Sequence, residues 1–206
     1  MDTIAQPHMS RREQKKLETH QRVIASSVAL FIEKGYDGTT VDEISAAAGI
    51  SKPTFFNYFP SKQSILTTLI DGTDREIIDN VKARCEATSP SSEQLRQLFA
   101  SAASVIMANE AIAKILVTHG LQSYQGPETV PPIERMRTFV TTLLEKGRDQ
   151  GEFDQEEVLD SQFYLTYGMY FHTIADWACN SELKLPERMA TGAEFVIRKL
   201  VKDPTN

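Results

Sequence analysis

Two capping boxes, each followed by a helical stripe that ends on a glycine, constrain this chain more than any other feature. Ser10 precedes Glu13, and Thr40 precedes Glu43. In this pattern a hydroxyl and a carboxylate reciprocally satisfy the free N–H groups of a helix start. From Ser10, apolar residues recur at helical spacing through Leu17, Ile24, Val28 and Phe31, and Gly35 supplies the stop. From Thr40 a shorter face runs through Val41, Ile44 and Ala48 to Gly49. Ser51 then caps a third helix, Lys52 to about Phe59, with Pro53 in its first turn, where a missing N–H costs little. Pro60 and Ser61 end it.

The same period continues to the C-terminus. Ile65, Leu69, Ile77 and Val81 predict a helix from Lys62 to about Glu86. Further helices are expected over 92–108, 110–121, 132–150, 155–180 and 187–202. Asp154 and Glu157 are expected to cap the eighth, and Pro186 to open the last. Residues 122–132 read as a Gly/Pro loop. No strand alternation and no internal repeat is visible. The expectation is an all-α chain of about nine helices.

Hydrophobic residues make up 41% of the 206, enough for a real core. No apolar run approaches the roughly 20 residues that span a bilayer, and the N-terminus lacks a secretory h-region. Cys85 and Cys179 form no disulfide framework; both read as buried small hydrophobes in a reduced, cytoplasmic setting. The net charge of −6 speaks against nucleic acid only on average. Residues 1–62 carry eight basic and seven acidic side chains, a balance of +1; the remaining 14 and 21 leave −7 for the rest. Arg11, Arg12, Lys15, Lys16 and Arg22 cluster near the start, so an attraction to DNA is local.

The first three helices have the helix, glycine turn, short helix form of a helix-turn-helix. On the third, Phe55 and Phe59 share a face and pack inward, with Phe56 at the boundary. Thr54, Asn57 and Tyr58 lie around the other side, and Lys52 and Pro53 at the N-terminal end. A recognition helix needs this division: one face held by its support, the other reaching base edges.

The run RVIASSVALFIEKGYDGTTVDEISAAAGISKPTFFNYFPSKQSIL, residues 22–66, resembles the DNA-binding domain of the TetR/AcrR family of bacterial regulators. The resemblance covers about a fifth of the chain with unbroken spacing, and the remainder is similar only in size and helical character. It implies a helix-turn-helix domain over residues 1–62 and a helical effector-binding and dimerisation domain over 63–206. It implies that Thr39, Thr40, Tyr58 and Lys62 contact phosphate, and that Lys52, Pro53, Thr54 and Asn57 face the major groove of a double-stranded operator. Arg11, Arg12, Lys15 and Lys16 would follow the backbone or enter the minor groove. Two positions depart from the family: Phe56 stands where tyrosine is usual, so a phosphate-donating hydroxyl is absent, and Pro53 where glycine is common.

The resemblance also implies a homodimer through the last two long helices, where Gly168 and Ala175 share a face, and a pocket for a small-molecule effector. Candidate lining residues are Met107, His119, Tyr124, Phe139, Tyr167, Phe171, His172 and Trp177. His172 and Asp176 read as a polar pair rather than a metal site, since no Cys/His cluster or HExxH spacing accompanies them. No phosphate loop, nucleophile motif or paired carboxylates point to an enzyme, and nothing calls for a cofactor or a membrane. The leading expectation is a repressor that binds a palindromic operator and is released by its effector. An all-α enzyme or carrier and a ligand-independent architectural DNA binder are the alternatives; DNA binding that falls steeply with salt separates the first.

Overall fold

The computed structural model describes residues 10–120, 133–180 and 182–201. Among them are nine helices and no strand: α1 (Arg11–Lys34), α2 (Val41–Ala47), α3 (Lys52–Phe56), α4 (Lys62–Arg84), α5 (Ser91–Ala108), α6 (Glu110–Gly120), α7 (Ile133–Asp149), α8 (Leu159–Cys179) and α9 (Leu185–Leu200). The chain divides into two compact units, Met1–Ile65 and Leu66–Asn206, so the division falls inside α4. No single helix among the described residues is long and apolar enough to cross a membrane.

In the first unit both capping boxes form. The buried stripe of α1 is Thr19, Val23, Ser27 and Phe31. Two of these four are small hydroxyl residues, and each donates back to its own helix: Thr19 Oγ1 to the Lys15 carbonyl at 2.9 Å and Ser27 Oγ to that of Val23 at 2.7 Å. Their burial therefore leaves no donor unmet while keeping the stripe thin for neighbouring helices. Ile24 and Val28 flank the stripe, half-buried, but Leu17 is 45% exposed. The first two turns of α1, residues 11–18, are exposed all round, so the apolar face expected to begin at Leu17 begins one turn later.

In the second unit α5 is the central helix. Leu95, Leu98, Phe99, Ala102 and Ala103 are buried, packed with Met189, Ala193 and Val196 of α9, Phe163, Tyr170 and Trp177 of α8, and Met136, Val140 and Leu144 of α7. Its N-terminus is capped from a distance: the Glu152 carboxylate accepts the backbone N–H of Ser91 at 2.7 Å and of Ser92 at 3.0 Å. Burial works against ionising that carboxyl, but the two N–H groups win and hold it below the usual range.

The start of α8 departs from expectation. It begins at Leu159, and its N-cap, Val158, makes no side-chain cap bond. Asp154 instead accepts from the Glu156 N–H at 2.9 Å. Arg148 Nη2 donates to the Gln155 carbonyl at 2.7 Å and Gln162 Nε2 to the Asp154 carbonyl at 2.8 Å. Side chains from α7 and α8 thus claim the carbonyls that four more helical residues would need. The cysteines also differ from expectation: Cys85 is half-buried and Cys179, the last residue of α8, is exposed.

Candidate nucleic-acid interface

The turn between α2 and α3 rests on Gly49, whose φ of 64° lies in the left-handed region that a side chain disfavours. The Ile50 N–H returns to the Ser45 carbonyl at 3.0 Å, and Arg22 Nε of α1 donates to the Ala48 carbonyl at 3.2 Å. Ser51 then caps α3 through the Thr54 N–H. Phe55 is fully buried and Phe59 2% exposed, with ring centres 5.8 Å apart. The regular helix stops at Phe56, where the chain tightens: the Asn57 N–H reaches the carbonyls of both Pro53 and Thr54. Phe59 still bonds back to Phe55 at 2.9 Å, so both anchors stay on one side. Behind them His20 of α1 stacks on Phe59, centres 4.8 Å apart. Burial, then Lys16, lowers the pKa of that imidazole and favours its neutral form.

Of the residues expected at the groove, Lys52, Pro53 and Asn57 are exposed, and Thr54 and Tyr58 half-buried. The Lys52 ammonium lies 2.9 Å from Asp42 Oδ2 of α2, both side chains well exposed. Thr54 Oγ1 and Ser51 Oγ share a hydrogen bond of 2.7 Å. Thr40 is exposed, but its N–H and hydroxyl both donate to Glu43 Oε2 at 2.9 Å. The Lys34 ammonium at 2.7 Å, with Thr40, holds the Glu43 carboxyl down to about 2. A phosphate at Thr40 must therefore compete with a resident carboxylate.

One expected phosphate contact is corrected, and a second is engaged within the fold. Thr39 is 1% exposed and its hydroxyl donates to the Gly35 carbonyl at 2.8 Å; it closes the end of α1 and has nothing to offer a ligand. Lys62 is turned inward, donating to the carbonyls of Tyr36 at 2.6 Å and Thr39 at 2.8 Å. Sequence reasoning missed the role of Asp42: ten residues of separation across a turn carry no periodic signal. Arg11, Arg12, Lys15 and Lys16 are exposed, free to meet a polyanion as expected.

In the second unit the effector candidates do not form one site. Phe139, half-buried, lines an open cleft of about 990 Å³ between α4, α5 and α7, floored by Ile78, Phe139 and Leu143. None of the other described candidates lines that cleft. The cleft is strapped at both ends. Arg135 Nε of α7 donates to Asp71 Oδ1 of α4 at 2.8 Å, and Lys146 of α7 to the carbonyls of Ala87 and Ser89 at 2.8 and 2.6 Å. Sequence spacing did not reveal these straps.

Tyr167 stacks between Phe163, Tyr170 and Phe171 along α8. Trp177 is 2% exposed and belongs to the core, with the Lys114 ammonium 5.3 Å from its ring centre. Met107 and His172 are exposed, His119 is half-buried, and Tyr124 lies outside the described residues. The expected His172–Asp176 pair is corrected: Asp176 accepts from Arg188 of α9 at 3.1 Å. Among the described residues no group of three or more His, Cys, Asp or Glu side chains is placed to hold a metal.

On α4, Asp74 is half-buried and makes no hydrogen bond among the described residues. Burial, then the neighbouring Asp71 carboxylate, raises its pKa to about 7 despite the opposing Arg135. Burial, then the Asp74 carboxylate, raises the Tyr170 phenol well above its ordinary range.

Residues 23–69 match the sequence model of the bacterial regulatory proteins, tetR family. The HTH-type transcriptional regulator YdeS of Bacillus subtilis, itself uncharacterised, is 24% identical over 158 residues, 76% of this chain and 78% of that one. The HTH-type transcriptional regulator CymR of Pseudomonas putida is 24% identical over 104 residues, about half of each chain. The crystal structure of Thermus thermophilus FadR, a TetR family transcriptional repressor in complex with lauroyl-CoA, superposes with a TM-score of 0.72. It shares 23% identity and covers 90% of this chain and 97% of its own. These relatives are regulators rather than enzymes, and the matched segment holds the helix-turn-helix built above. Residues 23–69 thus carry the DNA-binding segment of the tetR family of bacterial regulatory proteins, and the chain as a whole is similar to regulators of that kind.

Proposed function

We propose that this regulator is a cytoplasmic repressor that binds a palindromic operator as a homodimer and leaves it when a small molecule occupies its second unit. In this reading residues 1–62 read DNA and residues 63–206 bind the effector and dimerise. The observation that carries it is the two-sided third helix: Phe55 and Phe59 buried as anchors, with Lys52, Pro53 and Asn57 exposed beside them. Lys52 donates to guanine, Asn57 pairs with adenine, and Pro53 meets a thymine methyl. Thr40 and Tyr58 meet phosphate.

The dimer rests on α8, whose outer face carries Tyr164, 63% exposed, together with exposed Gly168 and His172. A two-fold reader suits a two-fold operator, with half-sites about 34 Å apart or a multiple of that. The α4–α5–α7 cleft supports an effector role, because an apolar floor with a few placed polar groups is the usual form of a small-molecule site. A ligand that prefers a splayed dimer lowers operator affinity by its differential affinity for the two states. α4, which contains the division between the units, transmits the change.

Selection from a random duplex pool tests the reading. A palindrome whose preference relaxes in Lys52→Ala and Asn57→Ala supports it. Recovery of no sequence at low salt overturns it.

A further inference from the structure

Lys52 is the first residue of α3, an awkward place for a cation. The free N–H groups of a helix start carry partial positive charge and repel an ammonium. The Asp42 carboxylate, one residue inside the start of α2, answers both: its Oδ2 lies 2.9 Å from Lys52 Nζ, and it sits where a helix start favours an acid. The pair is exposed on both sides, and exposed ion pairs contribute little to stability. Its placement on the reading face is therefore unexplained by folding. The adjacent carboxylate, Glu43, is already engaged by Thr40 and Lys34 and does not compete for Lys52.

We propose that Asp42 is a specificity-determining residue that positions the Lys52 ammonium for a base edge and keeps it off the phosphates. A free lysine is a point charge on a flexible four-carbon stem, able to serve a phosphate or a base with little discrimination. Held by Asp42, the ammonium directs one of its three N–H donors at the carboxylate and keeps two for an acceptor pair such as guanine O6 and N7. The carboxylate also repels any phosphate drawn toward the same ammonium. Asp42 thus lowers overall affinity and sharpens preference at one base pair of each half-site. The inference rests on the reading of Lys52 as a base-contacting residue.

The test compares the full-length parent with Asp42→Asn, Asp42→Glu and Lys52→Ala, using selected-sequence profiles and the salt dependence of binding. Asp42→Asn is expected to bind random duplex more tightly and to lose about five- to tenfold in preference at the base pair that Lys52→Ala also relaxes. Its log–log salt slope should steepen by about 0.9 for each lysine that moves to a phosphate. Asp42→Glu, which keeps the charge within reach, should retain the parental preference. A purely structural role for Asp42 would not steepen the salt slope. If Lys52→Ala relaxes one base pair while Asp42→Asn keeps the parental profile and slope, the inference is overturned and the function stands. If Lys52→Ala itself changes no base preference, the reading of Lys52 falls and the inference with it.

Discussion

The Lys62 ammonium donates to the Tyr36 carbonyl at 2.6 Å and lies 4.1 Å from the centre of the Tyr36 ring. A cation that is also bonded to the Thr39 carbonyl is bound into the fold of the first unit. Its partial burial lowers its pKa. Lys62→Met should therefore destabilise the protein by about 1–3 kcal/mol, the usual loss when carbonyls give up a charged donor. Chemical denaturation measures this. Under conditions where the variant is folded, the salt slope of DNA binding should equal the parent's. A slope shallower by about 0.9 would return Lys62 to the phosphate contacts.

Glycines in two helices of the second unit should respond in opposite ways to the same substitution. A Cβ on Gly147 of α7 would clash with Cδ2 and Cε2 of Phe153, in a ring only 2% exposed. Gly147→Ala must displace a packed aromatic and should cost about 1–3 kcal/mol. Gly168 of α8 is exposed and nothing lies within 4 Å of its Cβ position. Gly168→Ala should stabilise the isolated protomer by about 0.5–1 kcal/mol. If the α8 face is the dimer contact, Gly168→Arg should leave the fold intact and raise the dimer dissociation constant. Thermal melts and analytical ultracentrifugation read the two effects, and an undiminished dimer in Gly168→Arg would remove α8 from the interface.

Asp74 makes stability depend on pH. Its folded pKa, about 7, lies above the ordinary aspartate value of 3.8, so the folded state binds the extra proton. The carboxyl costs nothing below about pH 4; its penalty grows as pH rises and is complete above about pH 7. Asp74→Asn should match the parent near pH 4 and exceed it by about 1–3 kcal/mol at pH 8. Urea titrations at the two pH values check this. A constant difference between them would show that Asp74 ionises normally.

Glu152 has the opposite sign. Its folded pKa is lowered, so its contribution is present above the unfolded value near 4.5 and fades as pH falls through the folded one. Glu152→Ala leaves the Ser91 and Ser92 N–H groups without their acceptor. The loss at pH 7 should be about 1–2 kcal/mol, as for other helix caps, and should shrink toward pH 3. Denaturation midpoints of parent and variant across this range decide it.

Local signals were read well because they act within a few residues. The boxes at Ser10 and Thr40, the Ser51 cap, and the four-residue spacing of Phe55 and Phe59 all appear in the structure. The misread positions depend on distant partners. Thr39 and Thr40 are adjacent threonines, yet one is buried under α1 and the other exposed as a cap. Asp154 has the composition of a cap, but carbonyl capture by Arg148 and Gln162 starts α8 later. Asp176 has a histidine one turn away and pairs instead with Arg188, twelve residues on.

The sequence by itself determined an all-helical chain, most of its helix ends, and the two-sided third helix, because capping and helical periodicity are local properties of the backbone. The tertiary structure alone decided which polar groups are spent on the fold and which stay available. Lys62 and Lys52 are both lysines in the first turn of a helix. Carbonyls from a distant turn hold one inward; an exposed carboxylate holds the other at the surface. That difference arises when separate segments meet, where the cost of leaving a buried donor or acceptor unmet selects the partner.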